Sequence, residues 1–309
     1  MASEDLSERL VDSLNATYGV HPGHRAAHAK GVLCAATFAP TPAAAELCRA
    51  EHLAGPVRAH VRFSNGGGDP GVPDGARDAR GMAVKFYLAD GSTTDVVAIS
   101  LPAFFARTPE DLLAFNEARR PDPASGQPDL AKVGEYLGAH PEAMTAVNAA
   151  ITHAIPASYA TLAYHSLHAY GFEAGDGTVR YGRYHFVPEA GEASLTDDEA
   201  ASRPPDFLRD ELDERLTAAP AAFNLRVEMA KDGDAIDDST AVWPDGREMI
   251  DLGRLELTGL AYDRERDGDV LVFDPSRVPE GIRLTDDPIL RARSGAYSVS
   301  IARRTASSS

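Results

Sequence analysis

Cysteine and long apolar runs are scarce in this sequence. Its 309 residues include two cysteines, Cys34 and Cys48, which cannot form a disulfide framework and indicate free thiols in a reducing compartment. No apolar run reaches the roughly 18 residues that a membrane helix needs. The acidic start, residues 1–20, lacks the hydrophobic segment of a secretory signal. We therefore expect a cytoplasmic protein with no membrane span.

Basic residues are also few. Lys and Arg total 30 against 47 Asp and Glu, which gives a formal net charge of −17 at pH 7. Because such a charge repels phosphate backbones, we expect no nucleic-acid partner. Hydrophobic residues make up 43% and charged residues 25%, which is ordinary for a folded chain and excludes dominant disorder.

Helical patterns occur at four places. Residues 5–15 carry leucines and a valine at helical spacing and predict a short amphipathic helix. Thr108 and Pro109 are a typical N-cap and first helical residue. Residues 129–154 predict two helices with a break between Gly138 and Pro141, and residues 206–216 predict another helix.

Most of the remaining chain is typical of β-strands. Alternation begins at Val57, and Asp90-Gly91 indicates a hairpin turn. Further strand-like runs follow at 159–173, 178–190, 223–234, 249–263 and 269–278. Short turns join most of these runs, so we predict an α+β fold with a closed, largely antiparallel barrel. No linker divides the chain, and we expect one domain over 1–309 with a polar tail at 305–309.

Three histidines near the start raise the question of a metal site. His21, His24 and His28 are spaced by four or fewer residues, as helical metal ligands can be. Pro22 and Gly23 disfavour a helix there, and the glutamate of an HExxH motif is missing. Ordinary histidines without metal are the favoured alternative to a three-histidine zinc site.

Six blocks in a fixed order resemble the haem catalase family over about residues 20–304. They are HRAAHAKG at 24–31, RFSN at 62–65, the segment 78–107, STAVWP at 239–244, FDPSRVPEGI at 273–282 and DDPILRARSGAY at 286–297. The length resembles that of the short, catalase-related peroxidase branch. The resemblance implies a catalase-like antiparallel β-barrel core with inserted helices, no C-terminal helical domain, and haem b as cofactor.

Tyr297 matches the family's axial ligand to the haem iron, in an RxxxY motif that begins at Arg293. A phenol in water ionises near pH ~10, so ligation needs groups that favour the phenolate. Iron(III) and a nearby cation both do so. Arg293 lies one helical turn before Tyr297 and matches the family's arginine that contacts the phenolate.

His28 matches the family's distal histidine. A neutral imidazole can take a proton from one peroxide oxygen and return it to the other, so the resemblance assigns His28 as general base and then general acid. Ser64 matches the serine that orients this ring. Both are candidate catalytic residues.

Three arginines match positions that bind the haem propionates: Arg25, Arg62 and Arg304. A guanidinium suits this task because it stays charged and offers paired donors to a carboxylate. His168 loosely matches a histidine on the proximal side, and a purely structural histidine is an equal alternative.

Ile99 departs from the family pattern. In the corresponding block, which reads DVVAISLP at 95–102, catalases carry a distal asparagine. Losing one aimed hydrogen bond can cost roughly 10²–10³ in rate. We therefore expect peroxidase activity with weak catalase side activity.

The sequence also departs from the family pattern at a second set of positions. Catalases carry bulky aliphatic residues there, whereas this chain has small ones. Ala26, Ala27 and Gly66 predict a wider opening that admits organic reductants or hydroperoxides larger than hydrogen peroxide. Phe104 and Phe105 are expected to line the cavity wall or to pack in the barrel, and Leu112 and Phe115 are expected mainly in the core.

The leading interpretation is a haem peroxidase that uses hydrogen peroxide or organic hydroperoxides to oxidise small organic donors. Its partners are then peroxide and a small organic reductant, and we expect a monomer or homodimer. Two alternatives stay open: a fatty-acid hydroperoxide dehydratase or isomerase resembling allene oxide synthase, and a haem carrier or sensor without turnover.

Overall fold

Eight antiparallel strands close into a barrel in the computed structural model, which describes residues 2–262 and 270–306. The barrel strands are β1 (Gly31–Pro40), β2 (Val57–Asn65), β3 (Arg80–Tyr87), β4 (Thr93–Ile99), β6 (Tyr164–His165), β8 (Val179–Pro188), β10 (Ala221–Met229) and β11 (Met249–Leu260). Their order is β10-β11-β1-β2-β3-β4-β6-β8, and pairing of β8 with β10 closes the ring.

Four shorter strands lie outside the ring. They are β5 (Ile155–Pro156), β7 (Tyr170–Glu173), β9 (Ser194–Leu195) and β12 (Ile282–Leu284). Strands β7 and β12 extend the sheet from β8, whereas β5 and β9 pair with each other. The predicted α+β antiparallel barrel with inserted helices is therefore confirmed.

Aromatic side chains fill the barrel. Phe63 stacks on Tyr159 at a centroid distance of 5.4 Å and also packs against Tyr164 and Phe223. All four are essentially buried. A barrel of this size has an interior that side chains can fill, so the inside is a hydrophobic core and the functional cavity must lie elsewhere.

Helices occupy several connections between strands, and the first and last helices lie before β1 and after β12. They are α1 (Ala2–Tyr18), α2 (Pro42–Leu47), α3 (Glu51–Ala54), α4 (Pro109–Ala118), α5 (Leu130–Ala139), α6 (Met144–Ile151), α7 (Asp197–Ala201), α8 (Phe207–Ala218) and α9 (Pro288–Ala306), with 3₁₀ helices at Pro141–Ala143 and Tyr159–Thr161. Within the described ranges, every helix is too short or too polar to cross a membrane.

Local sequence signals account for several of these boundaries. Thr108 caps α4 through a reciprocal pair of hydrogen bonds with Asp111, and Pro109 is the first helical residue. Gly91 has φ 86° in the turn between β3 and β4, as the predicted hairpin requires. Helix α1 extends beyond both ends of the predicted 5–15.

Helices α1, α4 and α9 pack on one another beside the barrel. Gly295 permits a close approach of α9 to α1, because a Cβ there would lie 2.2 Å from Ser7 Oγ. Arg303 adds an ion pair to Asp12 across the same contact, at 2.6 Å. This three-helix layer and the adjoining strands enclose the cavity described below.

One strand prediction was wrong and another was correct only in part. Residues 270–278 form no strand, because the backbone turns at Asp274, whose carboxylate accepts the N–H of Ser276 at 2.9 Å. The buried Asp95 carboxylate fixes this turn by accepting the N–H of Asp274 at 2.9 Å. The run 159–173 is interrupted and contributes a 3₁₀ turn and the short strands β6 and β7.

The predicted boundaries near the chain end also differ. Thr305 and Ala306, expected in the polar tail, belong to α9. Residues 307–309 of that tail, and the ends of the strand predictions at 263 and 269, lie outside the described residues.

Candidate active site

A cavity of about 480 Å³ lies between strands β2–β4 and the layer of α1, α4 and α9. The cavity wall includes all seven predicted site residues: Arg25, His28, Arg62, Ser64, Arg293, Tyr297 and Arg304. Much of the rest is apolar, with Leu10 and Leu14 from α1 and Leu112 and Phe115 from α4. The structure thus gathers residues spread over most of the sequence.

His28 has an unusual backbone conformation. Its φ of 55° is the one positive value for a residue other than glycine in the described chain. Such a conformation costs about 1–3 kcal/mol and needs support from its surroundings. The N–H of His28 donates to Gly66 O at 3.2 Å, and the N–H of Ala29 donates to Gly67 O at 3.1 Å. These bonds hold the loop against the end of β2.

The His28 ring is kept neutral. Nδ1 lies 3.0 Å from Ser64 Oγ, and Ser64 is 4% exposed. Burial, followed by the positive charges of Arg62, Arg293 and Arg25, lowers the pKa of His28 from 6.5 to about 3. A neutral imidazole with one fixed nitrogen can exchange a proton through the other.

Gly81 sits directly against this pair and was missed by the sequence analysis. A Cβ on Gly81 would lie 2.7 Å from Ser64 Oγ and 2.8 Å from His28 Nδ1. Any side chain larger than hydrogen on this residue of β3 must displace the serine or the imidazole. The signal that could have found it is the glycine within an otherwise strand-like run, which often marks a close approach.

A hydrogen-bonded chain ends at the phenol of Tyr297. Arg293 Nε donates to Tyr297 Oη at 2.9 Å, and Arg293 Nη1 lies 3.1 Å from His168 Nε2. Because a guanidinium can only donate, His168 Nε2 accepts and the ring proton is on Nδ1. That proton is donated to Asp287 Oδ2 at 2.7 Å. Tyr297 Oη is therefore held as an acceptor beside a cation.

Asp287 performs two structural tasks with one carboxylate. Its second oxygen, Oδ1, accepts the N–H groups of Ile289 at 2.9 Å and Leu290 at 3.2 Å at the start of α9. His168 and Asp287 are each 1% exposed. The sequence analysis missed Asp287, although an Asp before Pro288 is typical of a helix N-cap.

The three arginines predicted to meet carboxylates also face the cavity. Arg62 is 8% exposed and donates to Ala29 O at 3.3 Å, and Arg25 donates to Leu271 O at 3.0 Å. Arg304, from the last turn of α9, is 6% exposed. These partly desolvated guanidinium groups make the cavity wall cationic within an acidic protein.

The residues that depart from the catalase pattern line the same cavity. Ile99 is half-buried at the end of β4, with Ala26, Ala27 and Gly66 in the wall. Gly66 has a packing reason as well, since a Cβ there would lie 2.8 Å from Asp78 Oδ1.

The aromatic residues expected in the core have a double role. Phe115 stacks on Phe105 at a centroid distance of 5.2 Å and packs on Tyr136 at 5.3 Å, in a small cluster separate from the barrel core. Both phenylalanines also line the cavity, together with Phe104. The cluster therefore shapes the cavity wall.

The disfavoured zinc alternative finds no support. His21 Nε2 lies 2.9 Å from the carbonyl of Tyr18, and His28 bonds to serine. Across the described ranges, one group of metal-binding side chains lies close together, formed by Asp111, His140 and Glu142. None of the three histidines near the start belongs to it.

Comparisons with known proteins identify the family of this chain. The family model Catalase matches residues 11–308. A catalase-related peroxidase from Mycolicibacterium paratuberculosis is 43% identical over 96% of this chain and 94% of its own length. One from Synechococcus elongatus is 33% identical over 96% and 88%. The chain belongs to the catalase family.

Solved catalases share its fold. A fungal catalase superposes with a TM-score of 0.82 at 25% identity, and catalase A from Saccharomyces cerevisiae has a TM-score of 0.82 at 24%. The match covers 92% of this chain but 59% and 62% of those proteins, so the chain spans about three fifths of their length. This catalase-family chain is an oxidoreductase that acts on peroxide.

The donor set fits the haem on which the catalase family depends. Tyr297 offers a phenolic oxygen beside the Arg293 cation, which is the chemistry of an anionic oxygen ligand for iron(III). Arg25, Arg62 and Arg304 suit a dicarboxylate, and the apolar wall suits a macrocycle.

The low pKa of His28 predicts how the reaction depends on pH. The folded value near 3 lies below the ordinary 6.5, so the unfolded chain binds a proton first and folding stability falls as pH drops below about 6.5. In the folded protein the ring stays neutral. The second-order rate constant with peroxide, measured by stopped flow, should therefore show no step between pH 5 and 8. A step centred near pH 6.5 would contradict the assignment.

Substitution of Gly81 tests the contact under His28. Gly81→Ala should lower the rate constant with peroxide at least tenfold, because the methyl group displaces Ser64 or His28. The matched control is Gly134→Ala on α5, where a Cβ meets nothing within 4 Å and the peroxide rate should not change. Unchanged peroxide kinetics in a folded Gly81→Ala protein would mean that the contact does not position the pair.

Proposed function

We propose that the chain is a haem b peroxidase that uses hydrogen peroxide or organic hydroperoxides to oxidise small organic donors, with weak catalase side activity. The observation that carries this proposal is the bond from Arg293 to the phenol of Tyr297, in the cavity that also holds His28 and Ser64. A tyrosine with a purely structural role needs no cation on its oxygen.

Tyr297 would hold the haem iron, and Arg25, Arg62 and Arg304 would hold the propionates. The haem supplies the redox chemistry that cleaves the O–O bond. Arg293 keeps a positive charge within hydrogen-bonding distance of the phenolic oxygen. His168 and Asp287 fix the guanidinium in that position.

His28 moves the peroxide proton in this proposal. When Nδ1–H is donated to Ser64 Oγ, Nε2 keeps its lone pair and can take the proton from one peroxide oxygen. The low pKa favours prompt return of the proton to the departing oxygen. Ser64 fixes the ring and so keeps Nε2 aimed into the cavity.

Ile99 favours the peroxidase branch over efficient disproportionation. A hydrocarbon side chain cannot donate a hydrogen bond to a second peroxide, so organic donors compete better for the oxidised enzyme. The relatives at 43% and 33% identity carry the name catalase-related peroxidase. The small side chains at Ala26 and Ala27 support entry of organic hydroperoxides.

We also propose a cytoplasmic location. Cys34 and Cys48 are both free and buried, and burial raises the pKa of the Cys34 thiol to about 12. Such thiols are unreactive and fit a reducing compartment.

Replacement of the axial ligand tests the proposal directly. Tyr297→Phe should lower haem occupancy at least tenfold, because the variant lacks the oxygen that binds iron, and the Soret band measures the loss. His28→Ala should keep the haem but lose rapid peroxide cleavage. The exposed Tyr262 gives a matched control, Tyr262→Phe, expected to match the parent. Full haem binding by Tyr297→Phe would refute the assigned ligand.

Ile99→Asn tests the branch of activity. An amide at this position can hydrogen-bond peroxide, so oxygen release from hydrogen peroxide should rise by roughly ten- to a hundredfold. An oxygen electrode measures this, and a chromogenic donor measures peroxidase turnover in parallel. No gain in oxygen release would show that Ile99 does not limit catalase activity.

A further inference from the structure

Arg119 is a second kind of cation in the cavity wall. It follows the last turn of α4 and lies in the cavity wall, and it is distant in sequence from the predicted propionate arginines. Its Nε and Nη2 donate to Asn116 Oδ1 at 3.1 and 2.9 Å, and its Nη1 donates to Tyr18 Oη at 2.8 Å. The guanidinium carbon lies 5.1 Å from the ring centre of Tyr18 and 5.0 Å from that of Phe115. These contacts fix the group in one orientation.

The acceptors that hold Arg119 are neutral. By contrast, Arg77 in the same wall forms an ion pair with Asp197, and the neighbouring Arg120 pairs with Glu117 at 3.7 Å. A guanidinium has five N–H groups, of which these bonds use three. Within the described part of the chain, Arg119 thus retains two donors and a full charge to offer to an anion.

Much of the cavity wall that includes Arg119 is apolar, with Leu14, Leu112 and Val147 among its lining residues. The Phe115 ring lies against the guanidinium itself. Asn116, which orients the guanidinium, is 1% exposed, so the support is buried and rigid. A fixed cation beside an apolar wall is complementary to a carboxylate attached to a hydrocarbon or aromatic body.

We propose that Arg119 binds the carboxylate of the organic hydroperoxide substrate and so selects acidic, apolar hydroperoxides. This inference rests on the proposed peroxidase function. A peroxide must enter the cavity to reach His28, whereas a donor can give up electrons from outside it. An anchoring group inside the cavity therefore selects the peroxide. The carboxylate also compensates a partly desolvated positive charge.

Binding of an unreactive analogue separates this inference from turnover. Isothermal titration calorimetry on the haem-containing protein compares decanoate with 1-decanol, which has the same chain without the charge. The parent should bind decanoate at least tenfold more tightly, since a charge-assisted hydrogen bond contributes roughly 1.5–3 kcal/mol, or about ten- to a hundredfold. Arg119→Gln should remove that preference and leave 1-decanol binding unchanged.

Two variants serve as controls. Arg120→Gln makes the same charge change at an exposed neighbour and should bind decanoate like the parent. Arg119→Lys keeps the positive charge but cannot donate two hydrogen bonds in the bidentate geometry of a guanidinium. It should therefore retain part of the preference for decanoate over 1-decanol. Equal loss of decanoate and 1-decanol binding in Arg119→Gln would show a merely structural role and overturn the inference. Should Arg119→Gln fail to fold, equal affinity of the parent for the two ligands would overturn it.

Steady-state kinetics then connects the site to the substrate. Cumene hydroperoxide and its 4-carboxy derivative share an apolar body and a reactive group. In Arg119→Gln, KM for the carboxy derivative should rise at least tenfold, whereas KM for cumene hydroperoxide and both kcat values stay near those of the parent. Equal KM changes would overturn the inference. A parent that binds decanoate through Arg119 but reduces no peroxide would refute the proposed function and leave the anion site standing.

Discussion

The bond between the Arg293 guanidinium and the Tyr297 phenol is the interaction on which the site depends. The two residues lie one turn apart on α9, so the helix itself sets their spacing. Behind the guanidinium, His168 and Asp287 continue the chain of donors and acceptors. Since Asp287 also caps the first turn of α9, one carboxylate supports both the start of the helix and, through His168, the orientation of Arg293.

The barrel provides a rigid frame for the other half of the site. His28 adopts a costly backbone conformation, and strands β2 and β3 supply the contacts that keep it there. Ser64 on β2 pairs with Gly81 on β3, and the absence of a side chain on that glycine leaves room for the imidazole. Regular strand pairing thus places Ser64 within hydrogen-bonding distance of His28, which lies in the irregular loop before β1.

Local chemistry explains which parts of the fold were predictable. The capping box at Thr108 and the Asp90-Gly91 turn depend on a few adjacent residues, so sequence alone is sufficient for them. Strand β1 was not anticipated, because its sequence, GVLCAATFAP, is rich in alanine and has no clean alternation. It is a strand because β2 and β11 pair with it on either side. Tertiary hydrogen bonding overrides weak local preference there.

The residues of the site likewise divide into those that the sequence predicted and those that it did not. The seven predicted residues came from motifs that resemble a known family, and the structure brings them to one cavity. Gly81 and Asp287 were missed because their contacts with His28 and His168 form only in the folded chain; Asp287 meets His168 across 119 residues of sequence. Arg119 was missed because nothing in its local sequence distinguishes it from Arg120, which makes a surface ion pair.

The packing of α1 against α9 has a consequence for the order of assembly. Asp12 and Arg303 pair although 291 residues separate them, and both helices contribute side chains to the cavity wall. While the chain is still being synthesised, the strands can begin to pair, but the wall formed by α9 has yet to emerge from the ribosome. A group bound in this cavity would therefore be fully enclosed only after α9 has been synthesised.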